Sequence, residues 1–108
     1  MSESDLSKAV RDYYGLLPAD TDAGWSLLTD RYRATTATSR DYYERFWGGI
    51  RRVRVSDVTS EAPSSVLATL RYDYDDGRTF IERTAYSLVR DGGQLKIDRS
   101  EVLSSRQT

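Results

Sequence analysis

The spacing of apolar residues changes near the middle of the chain, from a helical period to a period of two. Leu6, Val10, Tyr13 and Leu17 recur at i, i+4, i+7 and i+11, one face of a helix. Pro18 ends that element, because a proline disfavours the α conformation in the residue before it. Asp20 or Asp22 is placed to cap a second short helix, with Trp25, Leu28 and Tyr32 on its inner face. The polar stretch 34–38 reads as a loop. Ser39 reads as the N-cap of a third helix, in which Tyr43, Phe46, Trp47 and Ile50 form an aromatic stripe that Gly48 and Gly49 bring to an end.

After Ile50 the pattern is that of strands. Val53 and Val55 alternate with Arg52 and Arg54, and Pro63 with its serines marks a turn. Val66, Ala68, Leu70, Tyr72 and Tyr74 then alternate with Leu67, Thr69, Arg71 and Asp73, up to the hairpin signal Asp76-Gly77. The third strand carries Phe80, Tyr86 and Leu88 in one phase and Ile81, Ala85 and Val89 in the other. Asp91-Gly92-Gly93 turns the chain into a last strand with Leu95 and Ile97. Helices first and an antiparallel meander afterwards predict one α+β domain over residues 1–108. Three N-terminal helices pack on a curved four-stranded antiparallel sheet, a cone whose interior is lined by Tyr and Trp. Residues 1–4 and 104–108, polar and terminal, are expected to fray.

Composition narrows the chemistry. With 108 residues, 38% apolar and 31% charged, the chain suits a single globular domain. Sixteen basic residues against 17 acidic ones leave a net charge of -1, without the basic excess that a nucleic-acid binder uses to collect phosphates. There is no cysteine and no histidine, which removes thiolate chemistry, the commonest general base and the commonest zinc ligand. No metal or cofactor is expected. No stretch reaches the ~20 apolar residues of a membrane span, and Met1 to Asp5 has none of the features of a signal peptide, so no membrane insertion by this segment is expected.

Three groups of residues suggest a family. The run Val10-Arg11-Asp12-Tyr13-Tyr14-Gly15-Leu16-Leu17-Pro18, continuing Asp20-Thr21-Asp22-Ala23-Gly24-Trp25, resembles the helical start of nuclear transport factor 2-like, or cone-fold (SnoaL-like), domains. So do Tyr43-Glu44-Arg45-Phe46-Trp47 followed by Val53-Arg54-Val55, and Leu88-Val89-Arg90-Asp91-Gly92-Gly93 with Lys96-Ile97-Asp98. The likeness is closest to the version found beyond the membrane helix of actinobacterial Ser/Thr protein kinases and in related secreted proteins. It implies an extracytoplasmic place for a domain of that origin, and a cytoplasmic one otherwise. Leu95 stands where such domains often carry an aromatic residue, a change expected at the mouth of the cone.

Three candidate features follow. Tyr14, Trp25, Tyr43, Phe46, Trp47, Tyr72 and Tyr86 are expected to line a pocket for a small apolar or aromatic ligand, the plainer alternative being that they fill the core. Relatives with this fold include isomerases, dehydratases and cyclases that use an Asp or His deep in the cone. Here only Asp57, in phase with Val53 and Val55, and Glu82, in phase with Phe80 and Tyr86, are placed to point inward. The plainer alternative for each is a strand-end position or a pairing with Arg71 or Arg83. Asp73, Asp75 and Asp76 are expected in solvent beside a hairpin. Charge is also segregated: residues 31–54 hold seven arginines against two acids, and residues 55–82 six acids against two arginines.

The reading these features support is a non-catalytic ligand- or partner-sensing module of a larger signalling or secreted protein. The alternatives are a small cyclase- or isomerase-type enzyme and a pure dimerisation module. Leu67, Thr69, Ile81, Ala85 and Val89, interrupted by Arg71 and Arg83, should face away from the helices, which implies a homodimer through the sheet. Ile81→Lys combined with Val89→Lys is expected to give a folded monomer by sedimentation, where the unmodified chain sediments as a dimer.

Overall fold

Each helix starts at a side chain that satisfies its free backbone donors. In the computed structural model, which describes residues 2–108, the Ser2 hydroxyl accepts the Asp5 N–H at 3.1 Å, and α1 runs Glu3–Gly15 from that cap. Its inner face buries Leu6, Val10, Tyr13 and Tyr14. Asp20 caps α2 (Thr21–Ser26), accepting the Ala23 N–H at 3.0 Å. Ser39 caps α4 (Arg40–Gly48) by accepting the Tyr42 N–H at 3.1 Å.

Between them the expected second helix is split in two, so the described residues hold four helices rather than three. The cause is a backbone contact with the sheet. The Ile97 N–H donates to the Leu27 carbonyl at 2.9 Å, and the Thr29 N–H donates to the Ile97 carbonyl at 3.0 Å. Groups used in this way are lost to the helix, and Leu28 is pressed into the core at 1% exposure. Thr29 then caps α3 (Asp30–Thr35) and donates its hydroxyl to Asp98 at 2.8 Å.

The second half of the chain is an antiparallel sheet of four strands in sequence order: β1 (Ile50–Glu61), β2 (Ser65–Tyr74), β3 (Thr79–Asp91) and β4 (Gln94–Gln107). The β2–β3 connection is longer than the two-residue turn that Asp76-Gly77 suggests. The Tyr74 N–H donates to the Arg78 carbonyl at 2.8 Å across Asp75-Asp76-Gly77, with Gly77 at φ +94°. Asp91 pairs with Gln94 across Gly92 and Gly93, both at positive φ, as a two-residue hairpin requires. The tail expected to fray is instead the end of β4. Gln107 pairs with Phe80, and the Thr108 N–H donates to the Thr79 carbonyl at 3.0 Å. A ladder draws on backbone groups, so the polar side chains of Ser104, Ser105 and Arg106 do not prevent it. At the other end Ser2 to Ser4 belong to the cap and first turn of α1, and Met1 lies outside the described residues.

The sheet has the phase read from the sequence. Val66, Ala68, Leu70 and Tyr72 of β2 and Thr84, Tyr86 and Leu88 of β3 are buried beneath the helices. Leu67, Thr69, Arg71, Ile81, Arg83 and Ala85 lie on the opposite face. Leu6, Val10, Leu28, Leu70, Leu88 and Ile97 form the driest part of the core. Gly24 lets α2 lie against α4, since a Cβ there would stand 2.6 Å from the Tyr43 hydroxyl. No helix among the described residues is long and apolar enough to cross a membrane.

Trp47 is 5% exposed, between α4 and the inner face of the sheet. Trp47→Ala is expected to cost about 3–5 kcal/mol in chemical denaturation, a large part of a small domain's stability. A loss below about 1 kcal/mol would place the ring at the periphery of the core.

Candidate functional site

Tyrosines adjacent in sequence on a helix are turned about 100° from one another, so two such rings can both border a concave space. Tyr13-Tyr14 of α1 and Tyr42-Tyr43 of α4 do this. With Tyr32 of α3, Phe46 and Trp47 of α4, Tyr72 of β2 and Tyr86 of β3 they enclose a cavity of about 330 Å³ inside the cone. That is within the range of ~300–1,000 Å³ for small-molecule sites. Leu70, Glu82, Thr84, Ser100 and Val102 complete the lining, and Thr36, Ala37, Tyr42 and Val102 stand on its helix-and-β4 side. Tyr42 is 50% and Val102 53% exposed, which marks the open end.

Of the seven aromatic residues expected to line a pocket, Tyr14, Tyr43, Phe46, Trp47, Tyr72 and Tyr86 do so. Trp25 does not. Its indole lies behind Tyr43, edge to face at 5.1 Å between centroids, with the Arg33 and Arg40 guanidiniums over its ring at 5.1 and 5.5 Å. Arg33 also donates to the Trp25 carbonyl at 2.8 Å, so this residue braces the wall from outside. Tyr13, Tyr32, Tyr42, Thr84, Ser100 and Val102 were not among the expected lining residues. The doubled tyrosines were the available signal for two of them, whereas Ser100 and Val102 depend on how far β4 extends.

The phenol hydroxyls inside the cone are satisfied largely by each other. Tyr13 and Tyr43 share a hydrogen bond at 2.9 Å, Tyr14 and Tyr86 one at 2.5 Å, and Ser100 with Tyr32 one at 3.2 Å. Burial raises the pKa of Tyr13, Tyr14 and Tyr72 well above the ordinary phenol value, raises that of Tyr86, and lifts Tyr43 to about 12. All are neutral hydroxyls at physiological pH. Phe46 packs edge-on against Trp47 and Tyr72, at 5.0 and 5.7 Å between centroids, which fixes the apolar floor.

Two polar groups in this lining are left over. Glu82 points inward in phase with Thr84 and Tyr86 and is, among the described residues, the only charged one in the lining. Among the described residues it makes no ion pair and no hydrogen bond with a side chain. Its cross-strand neighbours are Leu70 and Ser105, while Arg71 turns to Asp73, and Arg83 donates to the Asp57 carbonyl and to Thr69. Neither arginine proposed as its partner reaches it. Desolvation alone holds its pKa above the usual carboxylate range. The Thr84 hydroxyl is buried near Tyr86 without meeting a partner in hydrogen-bond geometry.

The remaining candidates lie elsewhere. Asp57, expected to point inward, is exposed in a β1 irregularity at φ +48°, where the register between Ser56 and Thr59 slips and the side chain leaves the inner phase. Asp73, expected in solvent, is buried on the outer face. Thr79 donates to it at 2.9 Å and Arg71 at 3.3 Å, and Arg52 and Arg54 stand 3.5 and 4.0 Å away. The Thr79 hydrogen bond, followed by those of the arginines, outweighs desolvation and lowers its pKa. Leu95, expected at the mouth, lies instead near Asp5, Ala9 and Leu27, against the outer side of α1. Among the described residues no group of three or more His, Cys, Asp or Glu side chains is gathered to hold a metal ion.

No protein-family profile matches this chain, and no curated protein matches it in sequence.

The two carboxylates predict opposite pH effects. With its pKa raised on folding, Glu82 stabilises most below its unfolded pKa, and that contribution is lost as pH rises through the folded value. Glu82→Gln should therefore raise the melting temperature at neutral pH and narrow the difference in acid. Asp73, with its pKa lowered, contributes above its unfolded value and loses that contribution as pH falls through the folded one. Asp73→Asn should melt lower than the parent at neutral pH and approach it in acid. Thermal melts followed by circular dichroism across this range check both signs.

Proposed function

We propose that the chain is a non-catalytic ligand-sensing module of the cone-fold type, taking a small molecule with an apolar or aromatic body into the cone. The observation that carries this reading is the aromatic cavity of about 330 Å³, open at Tyr42 and Val102. Rings supply apolar contact at little cost in side-chain entropy, and a cavity left in a small domain forgoes packing that its own side chains would otherwise provide. The order of elements and the aromatic faces of α1 and α4 support the resemblance to nuclear transport factor 2-like domains, and with it a place in a larger signalling or secreted protein.

The enzyme reading is weaker on chemical grounds. A proton-transfer site needs a base and a donor converging on one reacting atom. Glu82 is an inward carboxylate, but no phenol hydroxyl among the described residues is hydrogen-bonded to it, and no donor converges with it on one point.

A role in self-association is favoured by a separate observation. The outer sheet face carries Arg52, Arg54, Arg71, Arg83 and Arg106 toward one end, with Asp73 beneath them. At the other end the same face carries Glu61 and Glu101 beside Leu67, Ala85 and Arg99. A two-fold axis running across the strands would lay each basic end over the partner's acidic end, a complementary arrangement for a homodimer through the sheet.

Titration with small aromatic compounds, followed by protein-observed NMR, tests the binding reading. Shifts should concentrate on Tyr42, Phe46, Trp47 and Tyr72, and Thr84→Trp, which fills the cavity, should remove them. Shifts confined to the outer face would overturn it. No proton-transfer turnover is expected on ketosteroid-like or polyketide-like substrates; turnover that disappears in Glu82→Gln would make the cone an active site.

A further inference from the structure

Resting on that reading, we infer that the cone selects an organic cation: an ammonium group on a compact apolar or aromatic body, with Glu82 as its counter-ion. A half-buried carboxylate among aromatic rings is stabilised by a cation or by hydrogen-bond donors, and among the described residues no side chain supplies Glu82 with either. The arginines nearest in sequence and across the sheet are held on the opposite face by Asp73, Thr69 and the Asp57 carbonyl. Among the described residues no tyrosine hydroxyl is hydrogen-bonded to the carboxylate: Tyr13 pairs with Tyr43, Tyr14 with Tyr86, and Tyr32 accepts from Ser100. A positive group from outside would balance this charge where the protein supplies no cation.

The walls suit the same ligand. The faces of Tyr72, Trp47 and Phe46 carry the negative side of the aromatic quadrupole, which attracts a cation and takes up the apolar surface attached to it. Thr84 lies two residues from Glu82 on the same strand face and adds no competing charge to the lining. At the open end Tyr42 is half-exposed, in position to cover the body of a bound molecule. An anionic ligand would meet repulsion from Glu82 without any compensating cation in the lining. A neutral ligand could offer the carboxylate at most a hydrogen bond and would leave its charge unbalanced.

Matched probe pairs test this directly: choline against 3,3-dimethylbutan-1-ol, and 2-phenylethylamine against 2-phenylethanol. Each pair has nearly the same shape and differs in charge. Calorimetric titration of the whole chain should give the ammonium member at least about tenfold tighter binding, equivalent to about 1.4 kcal/mol. In Glu82→Gln, folded by circular dichroism, that preference should fall to within about twofold, and Glu82→Asp should retain part of it. If both members of a pair bind equally to the parent and Thr84→Trp abolishes both, the binding function stands and the cation assignment is wrong. A preference that survives Glu82→Gln also overturns it. If neither pair binds at low millimolar concentration, the assignment and the binding reading fall together.

Discussion

A phenol ring placed away from water brings a hydroxyl that must find a partner there, and the architecture of this domain depends on how that demand is met. Two tyrosine pairs, Tyr13 with Tyr43 and Tyr14 with Tyr86, tie α1 to α4 and α1 to β3 through the interior. Each bond joins elements far apart in sequence, so the helical layer is fixed to the sheet by polar contacts set within an apolar wall. Replacing one member by Phe would leave the other hydroxyl buried without a partner, which costs more than the bond itself contributes. The same pairing explains why the space between the rings persists. Rings held by their hydroxyl ends are not free to tilt inward and close it.

Much of this was legible in the sequence. The change of period at Ile50, the caps at Asp20 and Ser39, and the inner phase of Val66 to Tyr72 each rest on local chemistry. What was not legible depends on contacts between distant segments. The break at Leu28 occurs because Ile97 offers it a backbone bridge, and no residue between Asp20 and Tyr32 announces that. Helical spacing assigns Trp25 to the lining, yet its indole packs against Tyr43 and stays out of the cavity wall. Alternation alone assigned Asp57 to the interior, where a slip in register turns it outward. The extension of β4 to Gln107 follows from free ladder positions on β3, to which side-chain polarity is blind.

The outer face has its own electrostatic logic. Arg54 stands directly opposite Arg71 on neighbouring strands, a like-charge pair that weakens a sheet. Asp73 offsets this from beneath, where it is enclosed by the arginine side chains themselves and not by the domain interior. The buried acid and the exposed bases thus form one unit. It leaves a net positive surface at that end of the sheet whatever the overall charge of the chain.

The four irregularities in strand pairing also share a pattern. Arg51 and the Asp57-Val58 step interrupt β1, while Asp98 and Leu103 are the residues skipped in β4. Those are the two outermost strands, and β2 against β3 runs in unbroken register between them. An open sheet is exposed to uncontrolled growth at its margins, because a regular edge is a template for another chain's strand. Bulges confined to the margins spoil that template while leaving the centre intact. The sheet thereby gains its curl and, from the same residues, resistance to fibril-like stacking edge upon edge, a useful property where a strand as long as β4 forms the rim.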